Sequence, residues 1–153
     1  MKQLWKALVL ACLGGVLYFG IEAVFKGING GGRLHWSMGV IGGVMFLAVG
    51  AINEVVPWCM PLIRQAILGG VLITAVELAA GLILNLWLGL HIWDYSNLPF
   101  QFLGQISLPF SLVWVLLAGI AIVLDDWLRH WIWGEARPHY WIWRCPKEGA
   151  AGR

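Results

Sequence analysis

Apolar residues run along this chain in four long blocks, near residues 4–25, 36–56, 62–90 and 105–125, separated by short polar interruptions. A bilayer core about 30 Å thick requires about 20 apolar residues at about 1.5 Å of rise each, and every block meets that length. Backbone amides find no water inside lipid, so these runs are predicted as helices that satisfy their own hydrogen bonds. The two-residue alternation of a barrel strand is missing. The breaks carry turn chemistry: Gly27-Ile28-Asn29-Gly30-Gly31-Gly32, then Pro57 to Pro61, then Ser96-Asn97-Leu98-Pro99. The pattern predicts an all-α integral membrane fold, with four transmembrane helices paired as two hairpins over residues 1–126 and a tail over 127–153. That tail mixes Trp127, Leu128, Trp131, Ile132 and Trp133 with Arg129, His130 and Glu135. It is too charged to cross and is expected as a Trp-rich interfacial helix that breaks at Pro138.

Composition agrees with lipid as the solvent. Apolar residues make up 60% of the 153 and charged ones 12%, with 20 glycines and 11 tryptophans, far from a soluble balance of roughly half and a quarter. The same balance excludes disorder, a disulfide-knit secreted fold and nucleic-acid binding. A net charge of +2 names no partner, but its distribution is informative. An even number of spans puts both termini on one side, where Lys2, Lys6, Arg64, Arg129, Arg137, Arg144, Lys147 and Arg153 fall, against Lys26 and Arg33 on the other. Both termini are therefore expected in the cytoplasm. Tryptophans mark the two interfaces independently, with Trp5, Trp58, Trp127, Trp131 and Trp133 at one and Trp36, Trp87 and Trp93 at the other, leaving Trp114 inside a span.

A secretory signal with Val9-Leu10-Ala11-Cys12 as its cleavage site is the competing reading of the first block. Only Ala7 to Ala11 separate Lys6 from Cys12, shorter than the roughly 7–15 apolar residues of a signal core, and the apolar run continues past the cysteine. Cys12, Cys59 and Cys145 all map to the cytoplasmic half, so they are expected to stay reduced, without a disulfide or a metal site.

The chain also resembles itself. Gly14-Gly15-Val16-Leu17 leads to Glu22 and Gly69-Gly70-Val71-Leu72 leads to Glu77, at the same spacing. Leu34-His35-Trp36 then matches Leu90-His91-Ile92-Trp93, and Asn53-Glu54 matches Asp125-Asp126. Two parallel repeats about an axis along the membrane normal would account for this, as would chance among so many glycines and valines.

An ionised carboxylate at mid-helix in a bilayer costs at least about 2.5 kcal/mol, so Glu77, with apolar residues on either side, must face protein or water. Thr74, Gly81 and Asn85 share its helical face. Glu77 is either a glutamic acid bonded to another helix or a proton, cation or solute site, with Thr74 and Asn85 lining the route. Glu22, with Tyr18 one turn before and Lys26 one turn after, reads as a local salt bridge and as a second carboxylate if the hairpins pack face to face. The segment from His91 to Gln105 is half apolar and half hydrogen-bonding. It is either an interfacial loop anchored by Trp93, Tyr95 and Phe100 or a gate over the cavity that Glu77 faces, with His91, Trp93, Asp94, Tyr95 and Gln105 as its candidate residues.

His35, Ser37, His91, Asp94 and Ser96 could gather at one surface, yet no nucleophile elbow or ordered triad accompanies them, so catalysis is not expected. A phosphate-binding loop of the Gly-x-x-x-x-Gly-Lys-Ser/Thr type is absent from the sequence, so the chain cannot itself be the ATPase of a pump. The Gly39-x-x-x-Gly43 spacing admits a close helix, from the same chain or from a second copy.

Ile73-Thr74-Ala75-Val76-Glu77 through Gly81-Leu82-Ile83-Leu84-Asn85, followed by Trp93-Asp94-Tyr95-Ser96 and Gly104-Gln105-Ile106, resembles the small bacterial membrane proteins grouped as type IV ABC transporters. His35-Trp36-Ser37-Met38 with Gly42-Gly43, and Gly134-Glu135 with Pro138-His139-Tyr140, extend the resemblance over most of the chain. It implies an integral protein of a bacterial cytoplasmic membrane with a permease role, and supplies neither substrate nor mechanism. The link from Val55 to Pro61 is very short for docking an ATPase, so such a partner would have to use the tail.

The expected function is a small-solute or ion permease or channel without a cofactor. Four helices enclose little space for a guarded path, so a homo-oligomer in the lipid bilayer is expected. The rival is a non-transporting membrane module that binds lipid or serves as a subunit of a larger assembly; a membrane-embedded hydrolase comes last.

Overall fold

The computed structural model describes residues 1–28, 34–57 and 59–142. Most of the glycine turn, Arg33, Trp58 and the tail residues Arg144, Cys145, Lys147 and Arg153 lie outside these. The elements follow the apolar blocks: α1 (Lys2–Ile28), α2 (Ser37–Gly50), α3 (Ile52–Val55), α4 (Leu62–Gly81) and α5 (Leu108–Trp133). Helices α2 and α3 act as one span, Ser37–Val55, so four helical stretches are long and apolar enough to cross a membrane.

Two predicted limits are corrected. The third span is α-helical only to Gly81 and continues as one π-helical stretch, Leu82–Trp87, so no helix covers 88–90. The fourth begins at Leu108, after Ser107 at the N-cap and with a proline in its first turn, and runs unbroken to Trp133. The tryptophans at 127, 131 and 133 therefore sit on the same helix as the fourth span, not on a separate one. Gly134, at φ 68°, ends it: the left-handed turn aims its N–H at the carbonyls of Arg129 and His130, a backbone shape that costs glycine nothing.

Each hairpin is closed by its glycine pair. In the first, Gly14 lies under Phe46, and a Cβ on Gly15 would stand 2.5 Å from the Gly39 carbonyl oxygen, with Gly43 equally tight against Ala11. The Gly39-x-x-x-Gly43 face is thus spent inside the chain, on α1. In the second, Gly69 meets Ala118 and Gly70 meets Val115. The hairpins join through α2, α4 and α5, where Met45, Val49, Ile73, Trp114, Ala118 and Ile122 form the buried core.

The burial pattern is inverted relative to a soluble protein. Val16, Val71 and Leu116 are about two-thirds exposed or more, whereas Gln65, Glu77, Asn85 and Asp125 are at most 5% exposed. Such a distribution is stable only when the surrounding solvent is hydrocarbon, which wets the apolar faces and repels polar ones inward.

Candidate functional site

Polar side chains collect at two levels of the bundle: the end bearing the 88–107 loop, and the end bearing the termini.

At the loop end, Glu77 on α4 is 5% exposed and both its oxygens are engaged. The Tyr95 hydroxyl donates to Oε1 at 2.9 Å and the Trp114 indole N–H to Oε2 at 2.8 Å. Among the described residues no basic side chain forms an ion pair with it. The two donors differ chemically. An indole N–H can only donate, whereas a phenol can donate to a carboxylate or accept from a carboxylic acid, so Glu77 keeps both partners with or without a proton. Burial, with the Glu77 carboxyl beside it, holds the Tyr95 hydroxyl far above the ordinary phenol range, so its proton stays available for that bond.

Tyr95 reaches Glu77 because the loop is pinned from below. Asn85, in the π-helical stretch, accepts from the Ile92 N–H at 2.7 Å and donates to the Trp93 carbonyl and to Gln105 Oε1. Gln105, itself buried, donates to the Leu103 carbonyl, and Trp93 Nε1 donates to the Gln105 carbonyl at 3.1 Å. A two-residue ladder, Gln101–Phe102 against Ile106–Ser107, closes the hairpin. Three non-glycine residues of this loop, His91, Phe100 and Leu103, adopt φ near +50°, a conformation that side chains disfavour and that tertiary contacts must hold. The Tyr95 ring stacks on Phe110 at 4.6 Å. Of the three proposed interfacial anchors only Phe100 is mainly outward, at 82% exposed; Tyr95 points inward.

The remaining candidates divide. Glu22 forms the expected pair with Lys26, at 3.0 Å, and Lys26 also donates to the Ile92 carbonyl. Tyr18 packs near Trp114, with ring centroids 6.1 Å apart. Thr74 does not join Glu77: its hydroxyl is buried without a partner, and the residue lines an apolar groove with Ile106 and Ser111 between α4 and α5. Asn85 is buried and anchors the loop. His91 is exposed. Asp94 is exposed too, and hydrogen bonds from Ser96 hold its carboxyl below the usual carboxylate range. His35–Ser37 and Asp94–Ser96 are two separate local pairs, and among the described residues no hydrogen bond links them.

At the terminal end, Asp125 is fully buried and bound by Arg129 Nε at 2.6 Å, while Arg129 also pairs with Glu54. Asn53 and the Tyr140 hydroxyl both donate to Asp126. A Cβ on Gly50 would strike the Asp125 carboxyl, so only glycine lets α2 come this close to α5. The tail folds back here: the Leu62 N–H donates to the Trp141 carbonyl at 2.7 Å, and Lys6 pairs with Glu135. Burial, then Asp126, pushes the Tyr140 hydroxyl up, so it remains a donor. One expectation is corrected here: Cys59 is disulfide-bonded, while Cys12 is free. Trp114 and this whole cluster were not read as site residues in the sequence. The available signals were Trp114's position inside a span and the acidic pair that ends the fourth apolar block.

A four-span helical bundle with a carboxylate held by neutral donors and covered by an ordered loop defines a polytopic membrane protein. The chain belongs to the family described as Putative ABC-transporter type IV, whose family model matches residues 28–142. No curated protein and no solved structure gives a significant match.

Proposed function

We propose that this chain is the membrane-spanning permease of a transport system for a small solute or ion, with Glu77 as its proton or cation site and the 88–107 loop as its gate. The observation that carries the reading is the bond from Tyr95 to Glu77. A buried carboxylate with no basic partner among the described residues is bound by a side chain of the very loop that covers it. A cation on Glu77 competes with that bond and frees the loop, while a proton weakens it by turning a charged acceptor into a neutral one; unloading restores it. The excess of basic residues supports a cytoplasmic terminal end, and the Cys59 disulfide at that same end weighs against it. There the Glu54–Arg129–Asp125 cluster closes the other end of the bundle. The two hairpins, each closed by its glycine pair and meeting through Asn53 and Asp126, fit a parallel repeat. Four helices enclose little space for a guarded path, which supports a homo-oligomer as the working unit.

Purified protein in liposomes tests this. Wild type should show pH-dependent flux that Glu77→Gln abolishes; unchanged pH-dependent flux in the variant removes Glu77 from the mechanism. A second reading, a non-transporting subunit of a larger assembly, draws on the folded-back tail beside the inner turn and on the missing phosphate-binding loop, which leaves any ATPase to another chain. Recovery of a fixed partner by full-length protein that shows no flux alone would favour it.

A further inference from the structure

Between α1, α5 and the loop, next to the Glu77 box, lies a cavity of about 430 Å³, a size that takes a small molecule. Aromatic rings from three elements wall it: Tyr18 and Phe25, Trp93 and Tyr95, and Phe110 and Trp114. All but Trp93 form a continuous set, with Phe110 in contact with Phe25, Tyr95 and Trp114, and Trp114 with Tyr18. The charges on its walls are Glu22, Asp94 and Lys26.

We infer that this cavity binds a small organic ammonium ion with an apolar body. Aromatic faces attract cations, and a desolvated cavity strengthens that attraction. Two carboxylates oppose one ammonium on the walls, and that ammonium is already held between Glu22 and the Ile92 carbonyl. Asp94, exposed and ionised, draws cations towards the opening. An inorganic cation would want several oxygen ligands, which walls made mostly of rings do not offer. An anion would meet Glu22 and Asp94. As the substrate class of the permease this rests on the reading above; as a binding site it does not.

The test is isothermal titration of benzyltrimethylammonium into the full chain in nanodiscs, with benzyl alcohol and benzoate as the neutral and anionic counterparts. The ammonium should bind saturably and about tenfold more tightly than either counterpart. Glu22→Gln should weaken it by about tenfold. Phe110→Leu should weaken the ammonium more than the alcohol. Lys26→Gln, which removes the competing positive charge, should tighten the ammonium, a gain that a damaged fold does not imitate. Equal binding of the alcohol, tighter binding of benzoate, no saturable binding, or no tightening in Lys26→Gln would each overturn the proposal. Liposome flux is measured separately. Ammonium binding without any flux leaves the site and removes the permease; pH-dependent flux of other solutes without ammonium binding leaves the permease and removes the site.

Discussion

The two polar levels of the bundle solve the same problem in opposite ways. At the terminal end, Asp125 is neutralised by a resident cation, Arg129, on its own helix one turn away. At the loop end, Glu77 is held, among the described residues, by the neutral donors Tyr95 and Trp114. A carboxylate with a covalently attached counter-ion is a fixture; one held by a phenol and an indole leaves its charge open to be settled by something that arrives and departs. The comparison teaches where to look for exchange: at the carboxylate that has no ion pair among the described residues.

The largest expected effect lies at the fixture. Arg129→Met leaves Asp125 buried and uncompensated and should cost about 3–5 kcal/mol, read as a drop in thermal unfolding temperature, whereas the double variant with Asp125→Leu should recover most of it. No recovery would mean that Arg129 acts through something other than this pair. Next comes the loop anchor. Asn85→Leu strands the Ile92 N–H and the Gln105 amide and should cost about 2–3 kcal/mol, with amide exchange accelerating in 88–107 and unchanged near Asp125. Tyr95→Phe removes one bond and should cost about 1 kcal/mol, freeing the loop without unfolding the bundle.

The smallest effect concerns pH. Because the folded Asp94 carboxyl sits below its usual range, its contribution is fully present above the unfolded value near pH 4 and is lost as the pH falls through the folded value. Protection of the Ser96 amide relative to its intrinsic exchange rate should therefore fall only in acid. A loss of protection near neutral pH would point to another group.

Much of this was legible in residue type and spacing, because hydrocarbon penalises so few things so heavily. Four spans follow from length and hydropathy, and Glu77 from the cost of a charge among leucines and valines. The Glu22–Lys26 pair follows from one helical turn of separation. What was not legible came from contacts between distant segments. Nothing in Leu82-Ile83-Leu84-Asn85-Leu86-Trp87 announces a π-helical stretch, yet that stretch places Asn85 under the loop. Thr74 shares Glu77's face by spacing, but its short side chain ends in the α4–α5 groove while the longer glutamate reaches Trp114. Trp114 looked like one more tryptophan, and nothing in the sequence announces that the chain after α5 returns to bring Trp141 to Leu62.

The unequal helix lengths have a mechanical consequence. At about 1.5 Å per residue, α1 and α5 extend about 40 Å, well beyond a hydrocarbon slab of about 30 Å, while Ser37–Val55 fits it at about 28 Å. Leu62–Trp87 is overlong as well, but α1 and α5 are the two that flank the aromatic cavity, and mismatch acts on them: thin membranes lean them over, thick ones draw them upright. Acyl-chain length thus becomes a control on the width of that cleft.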